Sequence, residues 1–317
     1  MAINKKQLFI IGELNVDLLL NNLNALPEVG KEIVAGSSSL VLGSSSAIMA
    51  ANSAAIDVDT AFCGIVGNDL YGNLILDQLQ KSNIDTRFIK KTKKSPTGIT
   101  VIMNYDQDRA NVTYCGAMEI LTIQDIPWSK MAKYRHLHIS SFFLQKKLKG
   151  DVTTIFKKAK IMGLTTSLDL QWDPNEKWDF DYKACLPFVD VFLPNRQELL
   201  ALTNTSLIEE GIAKIIPFSN CVAIKLGQEG SLGIQGDERL AVPGFKSPGY
   251  TDSIGAGDSF NSGFIKKFME KAPLEECLKY GNLMGALSTT DVGGTKAFEN
   301  RESIAIKIKL ILESSLD

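Results

Sequence analysis

The stretch DSIGAGDSF, residues 252–260, decides which fold and which chemistry this sequence can support. Its small residues let the backbone turn tightly, and the apolar residues Phe260, Phe264 and Phe268 share one face of a predicted helix. The glycines therefore lie at a helix N-terminus. Unpaired N–H groups and the positive end of the helix dipole favour negative charge there, such as that of a phosphoryl group in transfer.

Asp258 falls in the first turn of that helix. A carboxylate in this place can accept the proton of a hydroxyl group while the nearby N–H groups stabilise charge on the phosphorus that the hydroxyl attacks. The alternative is a capping aspartate on a glycine-rich turn, which is common in α/β proteins. The candidates for catalysis are Asp258, Gly255, Ala256 and Gly257.

The composition is that of an ordinary globular protein. A chain of 317 residues with 44% hydrophobic residues is long enough for one large α/β domain with an appendage, or for two domains. Its 34 basic and 36 acidic residues give a formal charge of −2, so no basic surface for nucleic acid or anionic lipid is expected. The basic clusters at residues 90–94 and 146–149 are short, and we predict that they lie in solvated loops.

Five widely spaced cysteines without a CxxC pair predict reduced, buried thiols. The two histidines, His136 and His138, alternate along a predicted strand, which argues against a zinc site. The apolar run after Lys6 soon meets Glu13 and Asp17, so it is too short for a signal peptide or a membrane span. The predicted location is the cytoplasm.

The longer run DSIGAGDSFNSGF, residues 252–264, closely resembles the C-terminal signature of the ribokinase-like, or PfkB, carbohydrate kinases, which phosphorylate sugars and nucleosides from ATP. With an N-terminal strand motif and further motifs in the family's order, the resemblance covers roughly residues 8–300. It implies a three-layer α/β/α fold with a central, mostly parallel sheet and a small β-sheet lid. It also implies one kinase domain over residues 1–317, with lid strands within about 31–42 and 97–116.

The hydrophobic pattern favours the same architecture. Residues 8–20 are predicted to form one buried strand with polar interruptions. Residues 99–105 and 110–115 are predicted to form a hairpin with a turn at 106–108. Further along, strands alternate with helices, which predicts a parallel sheet whose ligands gather at the C-terminal strand ends.

Two motifs of the family bear on the acceptor. The first strand of the family carries Gly-x-x-Asn-x-Asp, whose Asp binds substrate hydroxyls, and Asn15 and Asp17 occupy the matching positions here. The next motif, Gly-Gly-x-x-x-Asn-x-Ala, is altered: Gly43 is kept, but Ser44 replaces the second glycine and Ile48 replaces the asparagine. Isoleucine cannot hydrogen-bond a sugar, so the acceptor must be held differently in this chain.

Residues 167–174, SLDLQWDP, resemble a loop that ketose and ketosugar-acid kinases of the family write as Asp-x-Asn-x-Arg-x-x-Trp. The resemblance makes Asp169 a candidate for substrate binding, and Trp172 could stack on a sugar face or a nucleobase. The arginine is missing, which lowers the expectation of an acidic sugar. Either Trp172 or Trp178 could instead only pack the loop.

Asn195 and Glu198 match the family's Asn-x-x-Glu element at a strand end. A carboxylate and an amide near the triphosphate can orient Mg²⁺ through its waters, although the same spacing is that of a helix capping box. Lys225, Gly227 and Gly230 match a turn that contacts nucleotide phosphates, although an ordinary turn also explains the glycines. By resemblance, the adenine pocket is bordered by Asn282 and Gly293, and a K⁺ site of several relatives lies near Asp252.

The sequence therefore predicts a phosphotransferase that uses ATP and Mg²⁺, with K⁺ as an additional ion, to phosphorylate a small sugar or sugar derivative. A nucleoside kinase is the second hypothesis. A catalytically idle sugar-binding relative is the third, suggested by Ser44 and Ile48. A homodimer formed through the lid is implied by the resemblance alone.

Overall fold

The computed structural model describes residues 6–105 and 109–315. Its strands are β1 Lys6–Ile11, β2 Asn15–Asn21, β3 Ser37–Leu42, β4 Thr60–Gly67, β5 Asp85–Thr92, β6 Gly98–Asn104, β7 Arg109–Tyr114, β8 Tyr134–Ser140, β9 Thr165–Asp169, β10 Val191–Phe192, β11 Cys221–Lys225, β12 Ser231–Gln235 and β13 Glu238–Val242. Its α-helices are α1 Ser45–Ala55, α2 Leu70–Lys81, α3 Trp128–Met131, α4 Val152–Ile161, α5 Tyr182–Cys185, α6 Arg196–Thr203, α7 Ile208–Ile215, α8 Ala256–Met269, α9 Leu274–Ser288 and α10 Arg301–Ser314. In these two ranges, no helix has the length and apolarity needed to cross a membrane.

The large sheet has nine strands in the order β13-β12-β11-β10-β9-β8-β1-β4-β5. Neighbouring strands from β11 to β5 run parallel, whereas β12 and β13 form an antiparallel hairpin at one edge. Parallel strands need crossover connections, and helices supply most of them here. The prediction of a mostly parallel central sheet is confirmed.

The sheet lies between two layers of helices. Successive residues of a strand point to opposite faces, so a buried strand feeds two cores. On β1, Leu8 and Ile10 pack in one core with residues of α1, α8 and α9, while Phe9 and Ile11 pack in the other with residues of α4 and α6. All four side chains are fully buried. This is the predicted three-layer α/β/α arrangement.

The prediction of one strand over residues 8–20 is wrong. β1 ends at Ile11 in the large sheet, and β2 begins at Asn15 in a second sheet. The N–H of Gly12 still donates to the carbonyl of Cys63 on β4 (3.1 Å), and the next residue, Glu13, is held by the N–H and hydroxyl of Ser46 on α1. An apolar run continues through this break, so hydrophobic periodicity could not reveal it.

The second sheet, here called the lid, has the strand order β3-β2-β6-β7. The central pair β2–β6 is parallel, and the two outer pairs are antiparallel. Leu19 and Ile102 of the lid pack on Ile254, which seats the lid over the loop that precedes α8. The turn predicted at 106–108 lies outside the described residues.

The basic cluster at residues 90–94 begins inside a strand rather than a loop. Lys90 and Lys91 belong to β5, which is the edge strand of the large sheet. Both side chains are exposed. Charged side chains on an edge strand disfavour pairing with the edge of another chain, so the two lysines suit this position.

Candidate active site

The loop before α8 gives the helix an open N-terminus. Gly255 has a φ of 71°, and a Cβ atom there would lie 2.5 Å from Cα of Gly294, so only glycine fits. The helix begins directly afterwards, at Ala256. Helix geometry leaves the first N–H groups without intrahelical acceptors, which makes this turn a place for an anion.

Asp258 lies in that first turn and is 8% exposed. Its Oδ1 accepts hydrogen bonds from Ser45 Oγ (2.5 Å) and from Gln171 Nε2 (3.1 Å). Burial, with the nearby negative charge of Asp169, raises the pKa of Asp258 to about 6. A carboxylate with such a pKa is ionised at neutral pH and is still basic enough to accept a proton in a transition state.

Lys225, at the end of β11, is fixed by two side chains of neighbouring elements. Its Nζ donates to Asp169 Oδ2 (2.7 Å) and to Asn261 Oδ1 on α8 (3.4 Å), and Asn261 Nδ2 donates to the same Asp169 oxygen (2.5 Å). Burial opposes the ammonium form of Lys225, but the charges of Asp169 and Glu198 outweigh it, so its pKa is raised. A cation is thereby held beside the first turn of α8, near Gly257.

Two clefts meet at this point. The lid cleft, about 660 Å³, lies between the lid and the C-terminal strand ends, and Asp258 lines it. The loop cleft, about 710 Å³, lies between the turn at residues 227–230 and helix α9. Both clefts are lined by Lys225, Gly227, Ser253 and Gly257. A group lying at the junction would therefore contact a cation and the start of α8 from either side.

The structure brings most of the predicted site residues into these clefts. Those that line the lid cleft are Asn15, Asp17, Trp172, Asn195, Glu198, Lys225, Gly227, Gly255, Gly257 and Asp258. Those that line the loop cleft are Lys225, Gly227, Gly230, Ala256, Gly257 and Asn282. Four predicted residues line neither: Gly43, Asp169, Asp252 and Gly293.

Asp169 is fully buried, and its carboxylate is occupied by Lys225 and Asn261. It is therefore placed to hold Lys225 and not to face a ligand in the lid cleft. Gly43 also affects the site indirectly, through a neighbouring side chain. A Cβ atom on Gly43 would lie 2.2 Å from Asp17 Oδ1, so the glycine leaves room for that carboxylate.

Asn15 and Asp17 form a polar group on the underside of the lid. Asn15 Nδ2 donates to Asp17 Oδ1 (2.9 Å) and to Thr100 Oγ1 on β6 (2.9 Å). Asp17 is 6% exposed, and burial raises its pKa to about 7 despite the hydrogen bond from Asn15. The pair faces the same cleft as Asp258, so one small polyol could contact both ends.

Ser44 shows why a glycine is usual in its place. Its φ is 71°, a backbone conformation that residues other than glycine rarely adopt. Ser44 Oγ donates to the carbonyl of Glu13 (2.6 Å) and accepts from the N–H of Ala47 (3.0 Å), so it caps α1 while it joins two elements. Ile48, one turn along α1, lines the lid cleft with an aliphatic side chain.

Trp172 is exposed for 47% of its surface and lines the lid cleft. Its ring packs edge-to-face on Trp178 at 5.1 Å between centroids. The indole is therefore packed on one side, and its exposed surface can contact a ligand.

The Asn195–Glu198 pair does form a capping box. Asn195 Oδ1 accepts from the N–H of Glu198 (2.9 Å), and Glu198 Oε2 accepts from the N–H of Asn195 (2.8 Å). Glu198 nevertheless lines the lid cleft, and burial, with the charge of Asp169, raises its pKa to about 7. Capping and ligand contact are thus compatible here.

The charges around Lys225 fit an additional cation. Glu198, Asp169 and Asp258 all interact with this one ammonium group, so negative charge exceeds positive charge at the junction. Across the described ranges, no group of three or more His, Cys, Asp or Glu side chains could hold a metal on its own. Mg²⁺ retains waters and binds substrate phosphates, so Glu198 together with a triphosphate suits it.

Asp252 connects the two loops that were predicted to hold a monovalent cation. Its Oδ1 accepts from the N–H of Ile254 (2.8 Å), and its Oδ2 accepts from the N–H of Gly293 (2.8 Å). Burial raises the pKa of Asp252.

In the loop cleft, Asn282 is held by the carbonyls of Val242 and Pro243.

Several residues of the lid cleft were missed by sequence reasoning. Three come from β7, whose alternation turns Arg109, Asn111 and Thr113 toward the cleft. That period-two pattern was a usable signal. The others lie in three separate parts of the chain, where no local sequence pattern marks them as site residues: Glu13, Ser45 and Gln171.

A lid over a buried carboxylate at a helix N-terminus, in a three-layer α/β/α fold, defines a class of small-molecule kinases. Residues 5–301 match the pfkB family carbohydrate kinase. The chain belongs to this family, and it is a phosphotransferase that acts on a sugar hydroxyl.

Relatives agree with the assignment. A 2-dehydro-3-deoxygluconokinase of Bacillus subtilis is 27% identical over 253 residues, which cover 76% of this chain and 78% of the relative. An ATP-dependent ribose-1-phosphate kinase of Halopiger xanaduensis is 28% identical over 289 residues, which cover 90% of this chain and 93% of the relative. The structure of Arabidopsis thaliana ribokinase complexed with ribose and ATP superimposes with a TM-score of 0.81 at 24% identity and covers 96% and 99% of the two chains. The predicted fold is confirmed.

Proposed function

We propose that the protein transfers the γ-phosphoryl group of ATP to a hydroxyl group of a small sugar or sugar derivative. Asp258 acts as the general base, and the N–H groups of residues 255–258 form the anion hole. The observation that carries the proposal is the meeting of two clefts at Lys225 and Gly257, with Asp258 on the lid side of the junction. ATP enters the loop cleft and the sugar enters the lid cleft.

Each residue at the junction has a part in the transfer. Asp258 takes the proton of the acceptor hydroxyl as that oxygen forms its bond to the γ-phosphorus. The bond from this phosphorus to the bridging oxygen of the β-phosphate breaks, and ADP leaves. Lys225 and the first turn of α8 stabilise the charge that spreads over the transferred group.

Mg²⁺ is assigned to Glu198 and Asn195 through water, and when bound it neutralises phosphate charge. K⁺ is assigned to the two loops that Asp252 joins, where it would stiffen the approach to the anion hole. Omission of K⁺ from an assay that contains Mg²⁺ tests the second assignment, because a bound ion of that kind should change turnover without being consumed.

A sugar acceptor is favoured because two relatives, the 2-dehydro-3-deoxygluconokinase and the ribose-1-phosphate kinase, are kinases of sugar derivatives. The polar pair Asn15–Asp17 under the lid suits the hydroxyl groups of such a molecule. A nucleoside is the second candidate, favoured by the exposed surface of Trp172 in the same cleft, which could stack on a base. The idle sugar-binding relative is disfavoured by the intact junction of Asp258 and Lys225.

The proposal is tested by ADP release from Mg·ATP over a panel of sugars, sugar acids, sugar phosphates and nucleosides. We expect release that depends on one acceptor class, and we expect Asp258→Asn to lower kcat by roughly 100-fold or more while leaving ATP binding nearly intact. Unchanged turnover in Asp258→Asn would remove this residue from the base role. A folded protein that binds ATP but releases no ADP with any acceptor would favour the idle relative.

We also propose that residues 1–317 act as one kinase domain, because residues of both sheets line the same cleft. The cysteines suit the reducing cytoplasm: all five are free, four are buried and Cys115 is half-buried. The lid is proposed to pair with the lid of a second copy.

A further inference from the structure

Two side chains from distant parts of the chain reach the same oxygen of Asp258. Ser45 Oγ donates to Oδ1 at 2.5 Å, and Gln171 Nε2 donates to Oδ1 at 3.1 Å. Gln171 Nε2 also donates to Ser45 Oγ at 2.9 Å, so the three groups form a closed triangle. Within residues 6–105 and 109–315, no hydrogen bond is made to the other oxygen, Oδ2.

Ser45 is held in place by its neighbours. It is the first residue of α1, and it follows Ser44, whose left-handed backbone and cap on Ala47 set the direction in which the helix begins. Glu13 accepts hydrogen bonds from Ser44 on one side of Ser45 and from Ser46 on the other. The hydroxyl of Ser45 is therefore directed at α8 by a rigid start of the helix.

Gln171 is also fixed. Its φ of 61° turns the chain after β9, and its Nε2 also lies 3.1 Å from Asp169 Oδ2, so its two N–H groups are shared among three oxygens. Because Asp169 is itself locked to Lys225, the Gln171 amide has a defined position relative to the junction.

We propose that Ser45 and Gln171 are positioning residues for the phosphoryl transfer: they anchor Oδ1 of Asp258 and leave Oδ2 turned to the acceptor hydroxyl. This inference rests on the proposed function, since it assigns the oxygen that receives the proton. It also explains why the loop that contains Gln171 works without the arginine of related loops, because the amide serves the base and not the acceptor.

The chemistry requires such an anchor. Rotation of a carboxylate moves the accepting oxygen by more than an ångström, and misplacement of that size can lower a rate about 100-fold. The charged groups around Asp258 act on it from several elements. Asp169 at the end of β9, Glu198 on α6, Glu13 between β1 and β2, and Asp17 on β2 repel it, whereas Lys225 attracts it. Two hydrogen bonds to one oxygen select a single orientation.

The test compares two serines of one helix. Ser45→Ala removes the donor, whereas Ser53→Ala on the same helix removes a buried hydroxyl that has no hydrogen-bond partner among the described residues. We expect Ser45→Ala to lower kcat roughly 10- to 100-fold with KM for ATP unchanged, and Ser53→Ala to leave both unchanged. The hydrogen bond from Ser45 favours the ionised form of Asp258, so its loss should raise the pKa of this carboxyl group. The acid limb of the kcat/KM profile should therefore shift to higher pH by about one unit in Ser45→Ala.

Two further variants separate positioning from folding. Ser45→Thr keeps a hydroxyl and should recover most of the turnover. Gln171→Asn keeps an amide and tolerates a positive φ but is too short to reach Asp258, so it should behave as Ser45→Ala does. If wild type is active and Ser45→Ala matches Ser53→Ala in kcat and pH profile, the positioning role is overturned while the proposed function stands. An inactive wild type overturns both.

Discussion

Among single residues, Lys225 combines a buried ion pair with a place at the junction of the two clefts. Its Nζ lies 2.7 Å from an Asp169 carboxylate that is fully buried, and its own side chain is 11% exposed. A buried ion pair adds little stability as a pair, but a buried charge that loses its partner is costly. The same ammonium group lines both clefts, so we expect stability and turnover to depend on it for different reasons.

We therefore expect Lys225→Met to lower the free energy of unfolding by about 3 to 5 kcal/mol, because it leaves the Asp169 carboxylate without a counter-charge. The double variant Lys225→Met/Asp169→Asn should regain most of this loss. Turnover should stay low in both variants, since neither has the ammonium group of Lys225 at the junction. Urea unfolding and kcat for the four members of the double-mutant cycle measure the two effects separately.

A Lys225→Met protein as stable as wild type would contradict this account. So would a double variant that recovers turnover together with stability, since that would make Lys225 a structural partner of Asp169 alone.

Among the secondary-structure elements, β8 and β9 share a chain of hydrogen bonds between buried side chains. Ser140 and Ser167 flank His138 at 2.6 and 2.7 Å, and Ser167 and Thr165 flank His136 at 2.7 and 2.8 Å. Burial holds the pKa of both histidines well below the usual range, so both rings are neutral. A neutral imidazole donates through one nitrogen and accepts through the other, so each ring can bond to both of its hydroxyl neighbours and the chain is continuous.

Ser167 is the centre of that chain, since both rings bond to its hydroxyl. Ser167→Ala should lower the free energy of unfolding by about 2 to 4 kcal/mol, because two buried ring nitrogens lose their partner. Ser231→Ala is the matched control: Ser231 is a buried strand residue of the same sheet, and within the part of the chain that the structure describes its hydroxyl has no hydrogen-bond partner. Its change should be well under half as large. Equal losses in chemical unfolding would show that the chain of bonds adds nothing beyond side-chain volume.

The same elements show what a sequence can and cannot reveal about a fold. The start of α2, Leu70–Lys81, carries its own signal in the sequence, because Asp69 is a capping residue and its side chain accepts from the N–H of Gly72. The division between β1 and β2 is not predicted, because what ends β1 is a contact with β4 and α1, far along the chain.

The residues of the candidate site also differ in whether local sequence can predict them. Asp258, Lys225 and Glu198 belong to short motifs, so local sequence points to them. Ser45 and Gln171 reach Asp258 across 213 and 87 residues of chain, and no local pattern encodes such a contact. Tertiary packing decides these two positions, and they are the ones that we propose orient the base.

At the scale of the whole molecule, the two faces of the lid differ in polarity. Asp17, Thr100 and Thr113 lie in one cross-strand row that faces the cleft. The adjacent row points the other way and is apolar across all four strands: Leu40, Leu18, Val101 and Val112. Leu40 is 39% exposed, Val112 is 60% exposed, and Tyr114 beside them is 52% exposed. A lid that covers a polar substrate thus carries an apolar outer surface that a partner would bury.

This surface underlies the proposed homodimer. Two copies related by a twofold axis would place the same apolar row of each lid against the other, which removes both from water. Val112→Glu should convert the dimer to a monomer, because it would bury an unpaired carboxylate in that contact. Ile161→Glu is the control: Ile161 is an apolar residue at the end of α4, 86% exposed and outside the lid, so its variant should remain dimeric. Light scattering after size-exclusion chromatography at micromolar protein gives the masses, and a monomeric wild type, or a dimeric Val112→Glu, would assign the apolar row to another role.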